Sequence, residues 1–232
     1  MKNKLRILRG MLNRKAKTSD KHLSKLKCVS SKFGFDRGQP IDRLYIEHFI
    51  NSNCGKISHA CGIEVGEIHY LNSINVNNKI ILSHPSFTGA THSDTQILLD
   101  LNTISVKSTS SPLADIIICT NVLNFVKYPD IAMENFRNLL TQKGKLILTV
   151  SASMPISRFD SERWGDYWRF TEQGLKLLVE KSGFECSTEV YGNYHASLAF
   201  LSGYAVEDCS EFDLLFKDLR FPITIGAICS IK

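Results

Sequence analysis

The sequence predicts an α/β fold: a doubly wound, mostly parallel sheet with a helical insertion before the last strand. Three observations predict it. From about residue 40, short apolar runs alternate with stretches of helical periodicity. Asp115–Thr120 (DIIICT) and Lys145–Val150 (KLILTV) are continuous β-branched and aliphatic runs, as expected of parallel strands covered on both faces. Helix punctuation falls between such runs, at Pro40, Gly144, Thr171 and Gly183. Strands alternating with helices make a parallel sheet. In such a sheet the ligand lies across the carboxyl ends of the strands, at the topological switch point.

Each element has its own justification. Pro40 opens a helix through Ile41, Leu44, Tyr45, His48 and Phe49. His59–Val65 is the first strand, ending at Gly66, and Lys79–Ser83 is the second. Only about a dozen residues separate them, so any helix between them is short. Ile97–Leu101 is the third strand and Asp115–Thr120 the fourth. Ile131–Leu140 is an amphipathic helix with Ile131, Phe136, Leu139 and Leu140 apolar, and Gly144 follows its end. Lys145–Val150 is the fifth strand. Thr171 caps a helix from Glu172 to about Ser182, which Gly183 ends. Cys186–Tyr191 and Ile223–Ile231 are the last two strands, with a helical stretch of roughly 25 residues from about Tyr194 between them.

Composition bounds the function. The 232 residues are 43% hydrophobic and 22% charged, with 14 Gly and 6 Pro, which excludes collagen-like, low-complexity and disordered chains. Residues 31–232 read as a single domain, preceded by a basic arm over residues 1–30. Residues 1–27 hold ten Lys or Arg against one acid, a net of +9, whereas the other 205 residues carry a net of −4. The body therefore lacks the basic face that duplex binding needs, and no nucleic-acid partner is expected. Leu5, Leu8 and Leu12 fall on one side of the arm, the pattern of a basic amphipathic helix on anionic lipid; a solvated tail is the plainer alternative. No run approaches the roughly 18 apolar residues of a membrane span, and the N-terminus has no secretory apolar core. Seven scattered cysteines without C-x-x-C read as reduced thiols. The expected location is cytoplasmic, with residues 1–27 in peripheral contact with the inner face of the membrane. His59, His69, His84 and His92 have no metal-ligand spacing, and no metal is expected.

The residues that follow each strand carry the candidate chemistry. Gly62–Glu67 (GIEVGE) closes the first strand, where a glycine permits a tight turn and Glu64 can orient backbone or ligand amines. Asp100 ends the third strand, Cys119, Thr120 and Asn121 end the fourth, and Val122–Asp130 (VLNFVKYPD) and Leu139–Leu148 (LLTQKGKLIL) follow. Together these segments resemble class I S-adenosylmethionine-dependent methyltransferases over about residues 55–190. Outside that core, Phe35–Glu47 (FDRGQPIDRLYIE), Arg158–Thr171 (RFDSERWGDYWRFT) and Tyr191–Asn193 (YGN) resemble the methyltransferases found beside glycosyltransferases in bacterial surface-polysaccharide biosynthesis.

The resemblance implies a Rossmann-like sheet with an antiparallel last strand, and S-adenosyl-L-methionine as cofactor. Glu64 and Gly66 would border its amino acid part, and Asp100 and Leu101 its adenine. Cys119, Thr120 and Asn121 would floor the site near the sulfonium, and Asp42 and Arg43 would close it from above. The aromatic segment implies an acceptor wall of Trp164, Asp166 and Arg169, with Trp168 and Phe170 in the core. Asp166, Arg169 and His195 are the catalytic candidates. The implied acceptor is a sugar, or a lipid-linked or nucleotide-linked glycan, and the implied partner a glycosyltransferase. One departure stands out: the second strand ends in Ser83-His84, without the acid that grips both ribose hydroxyls in the family. That departure favours the alternative, a catalytically inactive scaffolding subunit of the same pathway. An NAD-dependent enzyme is disfavoured, because no G-x-G-x-x-G follows the first strand.

Overall fold

The computed structural model describes residues 27–54, 58–86, 96–104 and 114–232. Its elements are α1 (Ile41–Cys54), β1 (His59–Val65), β2 (Val76–Ser83), β3 (Gln96–Leu98), β4 (Ala114–Thr120), α2 (Pro129–Leu139) and β5 (Leu140–Ser151). They continue with α3 (Arg158–Ser161), α4 (Glu172–Lys181), β6 (Phe184–Tyr191), α5 (Tyr194–Ser202), α6 (Glu211–Leu215) and β7 (Thr224–Ile231). The seven strands form one sheet in the order β3-β2-β1-β4-β5-β7-β6. Strands β1 to β5 pair in parallel, and β7 runs antiparallel to both β5 and β6. The chain winds outward in opposite directions from β1 and β4, so the switch point lies between them.

Strand β4 shows why its residues are continuously apolar. Ile117 and Cys119 enter one core layer, with Phe136, Leu148 and Val179; Ile116 and Ile118 enter the other, with Tyr45, Phe49 and Tyr191. Successive side chains point to opposite faces, and helices cover both.

Two expectations are corrected. The single helical stretch from Tyr194 is broken: α5 ends at Gly203, in the left-handed region at φ 81°, and is followed by a 3₁₀ turn at Val206–Asp208 and the short α6. A Cβ at Gly203 would stand 2.2 Å from the Ser30 carbonyl oxygen, so the chain crossing there requires glycine. Strand β5 starts at Leu140, directly after α2, and Gly144 lies within it.

The segment before α1 is docked at its far end. The Arg37 guanidinium donates to both Asp208 carboxylate oxygens at 2.7 and 2.6 Å. Gln39 N–H donates to Glu207 Oε2 at 2.9 Å, and Val206 N–H to the Gln39 carbonyl at 2.8 Å. These contacts aim the first turn of α1 over the carboxyl ends of the strands. Val29 N–H donates to the Ser202 carbonyl at 2.7 Å, which ties the start of this segment to the end of α5. The helix expected over Leu5, Leu8 and Leu12 lies outside the described residues.

Every cysteine among the described residues is a free thiol. Cys186 and Cys229 are register partners on β6 and β7. A hydrogen bond from Cys229, assisted by Lys176, lowers the Cys186 pKa to about 7, whereas burial pushes the Cys61 and Cys209 thiols up. Iodoacetamide should therefore label Cys186 ahead of Cys61 and Cys209, half-maximally near pH 7, in a peptide-mapping pH series. Equal labelling of the three would contradict this.

Candidate functional site

A cleft of about 1480 Å³ opens over the carboxyl ends of the strands. Ligand sites commonly measure roughly 300–1,000 Å³, so this one has room for two ligands. Of the residues expected from sequence, Asp42, Arg43, Glu64, Gly66, Asp100, Leu101, Thr120, Asn121 and Trp164 line it. Cys119, Asp166, Arg169 and His195 do not.

The loop after β1 is built around Glu64. This buried carboxylate accepts from three backbone N–H groups: Oε2 from His69 at 3.0 Å and Leu71 at 2.9 Å, and Oε1 from Tyr70 at 3.0 Å. It thereby caps the single 3₁₀ turn Tyr70–Asn72, all that fits between β1 and β2. Burial holds its pKa above the usual range, outweighing the three amides. Gly66 has φ 97°, and a Cβ built on it would meet no atom within 4 Å. The glycine thus leaves the backbone open to the cleft.

The α1 and β4 ends meet across the switch point. Asn121 Nδ2 donates to Asp42 Oδ2 at 3.1 Å, and Asn121 N–H donates to the Thr149 carbonyl at 2.8 Å. Asn121 holds φ 53°, a left-handed conformation that costs roughly 1–2 kcal/mol outside glycine and that clusters at functional sites. Burial raises the Asp42 pKa, opposed by Arg43 and by hydrogen bonds. Burial also opposes the Arg43 charge, but Asp42, Tyr70 and Glu47 outweigh it and raise the guanidinium pKa. Among the described residues, two buried polar atoms at the cleft have no hydrogen-bond partner: Ser83 Oγ and Asn121 Oδ1.

The β2 and β3 ends carry a grouping not read from sequence. The His84 ring lies 4.8 Å from that of Trp164, and His84 Nε2 is 3.7 Å from Asp100 Oδ1. Asp100 Oδ1 also accepts from Asn102 N–H at 2.8 Å and Asn102 Nδ2 at 3.0 Å. Residues 84 and 164 are distant in sequence, and no local pattern joins them.

The aromatic segment needs several corrections. Asp166 and Arg169 do not face the cleft; they pair with each other through two contacts. The Asp166 side chain is 3% exposed and that of Arg169 27%. Arg169 also donates to the carbonyls of Met154, Pro155 and Trp168, so the pair fastens the loop after β5. Trp168, expected in the core, is 42% exposed, and its indole N–H donates to the Val126 carbonyl at 2.9 Å. Phe170 is buried in the core. Cys119 is wholly buried, because β4 turns it into the core layer. His195 sits exposed in the first turn of α5, outside the cleft lining. Sequence reading also missed Asn124, whose buried amide donates to the Ser151 and Trp168 carbonyls and accepts from Ser151 N–H. An asparagine inside the apolar run VLNFV was the available signal. Among the described residues, no group of three His, Cys, Asp or Glu is placed to hold a metal ion.

No protein-family model matches the sequence, and no curated protein sequence matches it. Solved structures do match. The N-methyltransferase NodS of Bradyrhizobium japonicum WM9, in complex with S-adenosyl-L-homocysteine, superposes with a TM-score of 0.52 at 14% identity, covering 84% of this chain and 89% of that one. A methyltransferase of Thermotoga maritima, described as a possible histamine N-methyltransferase, gives 0.53 at 15% identity, covering 83% and 91%. A methyltransferase of Haloferax volcanii complexed with its Trm112 activator gives 0.54 at 10% identity, covering 80% and 87%. Strand order, the antiparallel β7 and these superpositions lead to one conclusion: this chain has the Rossmann-like fold of S-adenosylmethionine-dependent methyltransferases.

Proposed function

We propose that the protein is an S-adenosylmethionine-dependent methyltransferase acting on a sugar or glycan intermediate of cell-surface polysaccharide synthesis. The carrying observation is the convergence of Asp42, Ser83, Asp100 and Asn121, from four separate elements, on one cleft at the switch point. The residues fit the cofactor. Ser83 Oγ and Asn121 Oδ1 are buried polar atoms without partners, ready for ligand hydroxyl and amine groups. Gly66 leaves backbone open where a ligand must approach closely. In this reading Asp42 and Arg43 hold the charged amino acid end, Ser83 meets the ribose, and Asp100 and Leu101 border the adenine.

When bound, S-adenosylmethionine supplies a methyl group already activated by a positive sulfur. The chain must orient the acceptor, exclude water and take up the hydroxyl proton. Asp166 and His195 stand outside the cleft lining. His84 stands on the adenine side of the cleft in this placement, its Nε2 3.7 Å from Asp100 Oδ1 and its ring 4.8 Å from that of Trp164. The Trp164 ring offers a flat surface for a sugar. A cytoplasmic location and a glycosyltransferase partner belong to the same proposal.

One observation favours a second reading, a non-catalytic binding subunit: β2 ends in a single hydroxyl instead of a carboxylate, so ribose is held more weakly. A transfer assay with labelled S-adenosylmethionine, offering polyprenyl-linked and nucleotide-linked sugars, separates the two. Methyl transfer to one acceptor is expected. Cofactor binding without transfer to either acceptor would establish the second reading.

A further inference from the structure

Large apolar side chains are exposed around the mouth of the cleft. Phe35 is 61% exposed, Ile156 69% and Phe159 63%, and all three line the opening. They come from two separate segments, one before α1 and one around α3. Three exposed bases, Lys32, Arg158 and Arg163, stand among them. The Arg163 guanidinium lies over the Phe159 ring, 3.6 Å from its centroid. Of the acids beside them, Asp160 accepts from Ser157 Oγ at 2.6 Å and Asp36 from Ser30 Oγ, while Glu162 is exposed, so the bases outnumber the free acid. Residues 1–27, with their net charge of +9, join the described fold at the same opening, where Cys28 lines the cleft. Apolar rings interleaved with bases, continued in sequence by a strongly basic arm, complement one surface: anionic lipid.

We propose that the cleft mouth docks on an anionic bilayer, with Phe35, Ile156 and Phe159 entering the headgroup–acyl boundary and Lys32, Arg158 and Arg163 meeting lipid phosphates. This goes beyond the enzymatic reading, since docking needs neither cofactor nor catalysis. Where it rests on that reading, it selects the lipid-linked acceptor, because the opening of the cleft then faces the bilayer.

The full chain should sediment with vesicles of phosphatidylglycerol and phosphatidylcholine, and not with phosphatidylcholine alone. A Phe35→Ser, Ile156→Ser, Phe159→Ser triple variant, with its arm intact, should lose affinity by roughly tenfold or more per side chain. Its melting temperature should be retained, because all three side chains are exposed. An Arg158→Gln, Arg163→Gln pair should lose roughly fivefold per arginine and steepen less with salt. Unchanged sedimentation of the triple variant would overturn the proposal and leave the arm as the whole anchor. A wild-type protein that ignores anionic vesicles would overturn it too. So would a parent that is oligomeric without lipid and a triple variant that is monomeric, since the rim would then be a protein contact. S-adenosylhomocysteine titrated into the same samples reports the cofactor reading separately: absent heat with docking retained overturns only that reading.

Discussion

Glu64→Ala should destabilise the protein by about 3–5 kcal/mol, measured by urea unfolding, since it strips the acceptor from buried amides. The three amides are those of His69, Tyr70 and Leu71, held by one carboxylate at 2.9 to 3.0 Å. Glu64→Gln keeps the volume and one acceptor oxygen, so it should cost less. The pH dependence has a definite sign. Burial raises the folded-state pKa of Glu64 above its ordinary value of 4.5. Between the unfolded and folded pKa values the native state therefore binds the extra proton, and the Glu64 contribution falls as pH rises through that window. Below both values, and again above both, the contribution is constant. Glu64→Gln should remove this slope from the melting temperature just above pH 4.5. A parent and variant with parallel pH profiles there would show that the amides, and not burial, dominate the carboxyl.

Arg169→Ala should cost about 3 kcal/mol, because it leaves a buried carboxylate without its counter-charge. Asp166 is the carboxylate concerned, its side chain 3% exposed. The guanidinium also satisfies the Met154 and Pro155 carbonyls in the loop after β5, and that of the neighbouring Trp168. Arg169→Lys keeps the charge but cannot reach both carboxylate oxygens and the carbonyls together, so it should lower stability as well. Activity should fall in step with stability, as expected for a positioning residue. Trp168→Ala should cost well below the roughly 3–5 kcal/mol of a buried ring, since Trp168 is largely at the surface. Thermal melts beside a transfer assay check all three. An Arg169→Lys protein that melts like the parent yet has lost turnover would return Arg169 to the acceptor wall.

These outcomes trace the limits of the sequence. Strands β4 and β5 were legible because strands covered on both faces are apolar nearly throughout, as DIIICT and KLILTV are. Topology then brought Glu64, Gly66, Asp100 and Asn121 to the cleft, since ligands in such sheets meet the strand ends. Side-chain direction was not legible. Asp166 and Arg169 read the same whether they face a ligand or each other, and Cys119 was one strand position from facing the cleft. His195 follows a strand, but α5 turns it to solvent. Contacts far apart in sequence were equally hidden: Arg37 with Asp208, and His84 with Trp164. The broken helix after Tyr194 could have been read from Gly203, whose close approach to Ser30 only the packed chain reveals.

The central claim is that the cleft between β1 and β4 holds S-adenosylmethionine. Calorimetric titration with S-adenosylhomocysteine tests it most directly. Measurable heat is expected, with a Kd on the order of 0.1 mM, weak because β2 lacks a ribose carboxylate. Asp100→Ala should weaken binding about tenfold and Ser83→Asp should strengthen it about tenfold, each a gain or loss of one charge-assisted hydrogen bond. No heat at millimolar ligand, or equal heat from parent, Asp100→Ala and Ser83→Asp proteins, would contradict it.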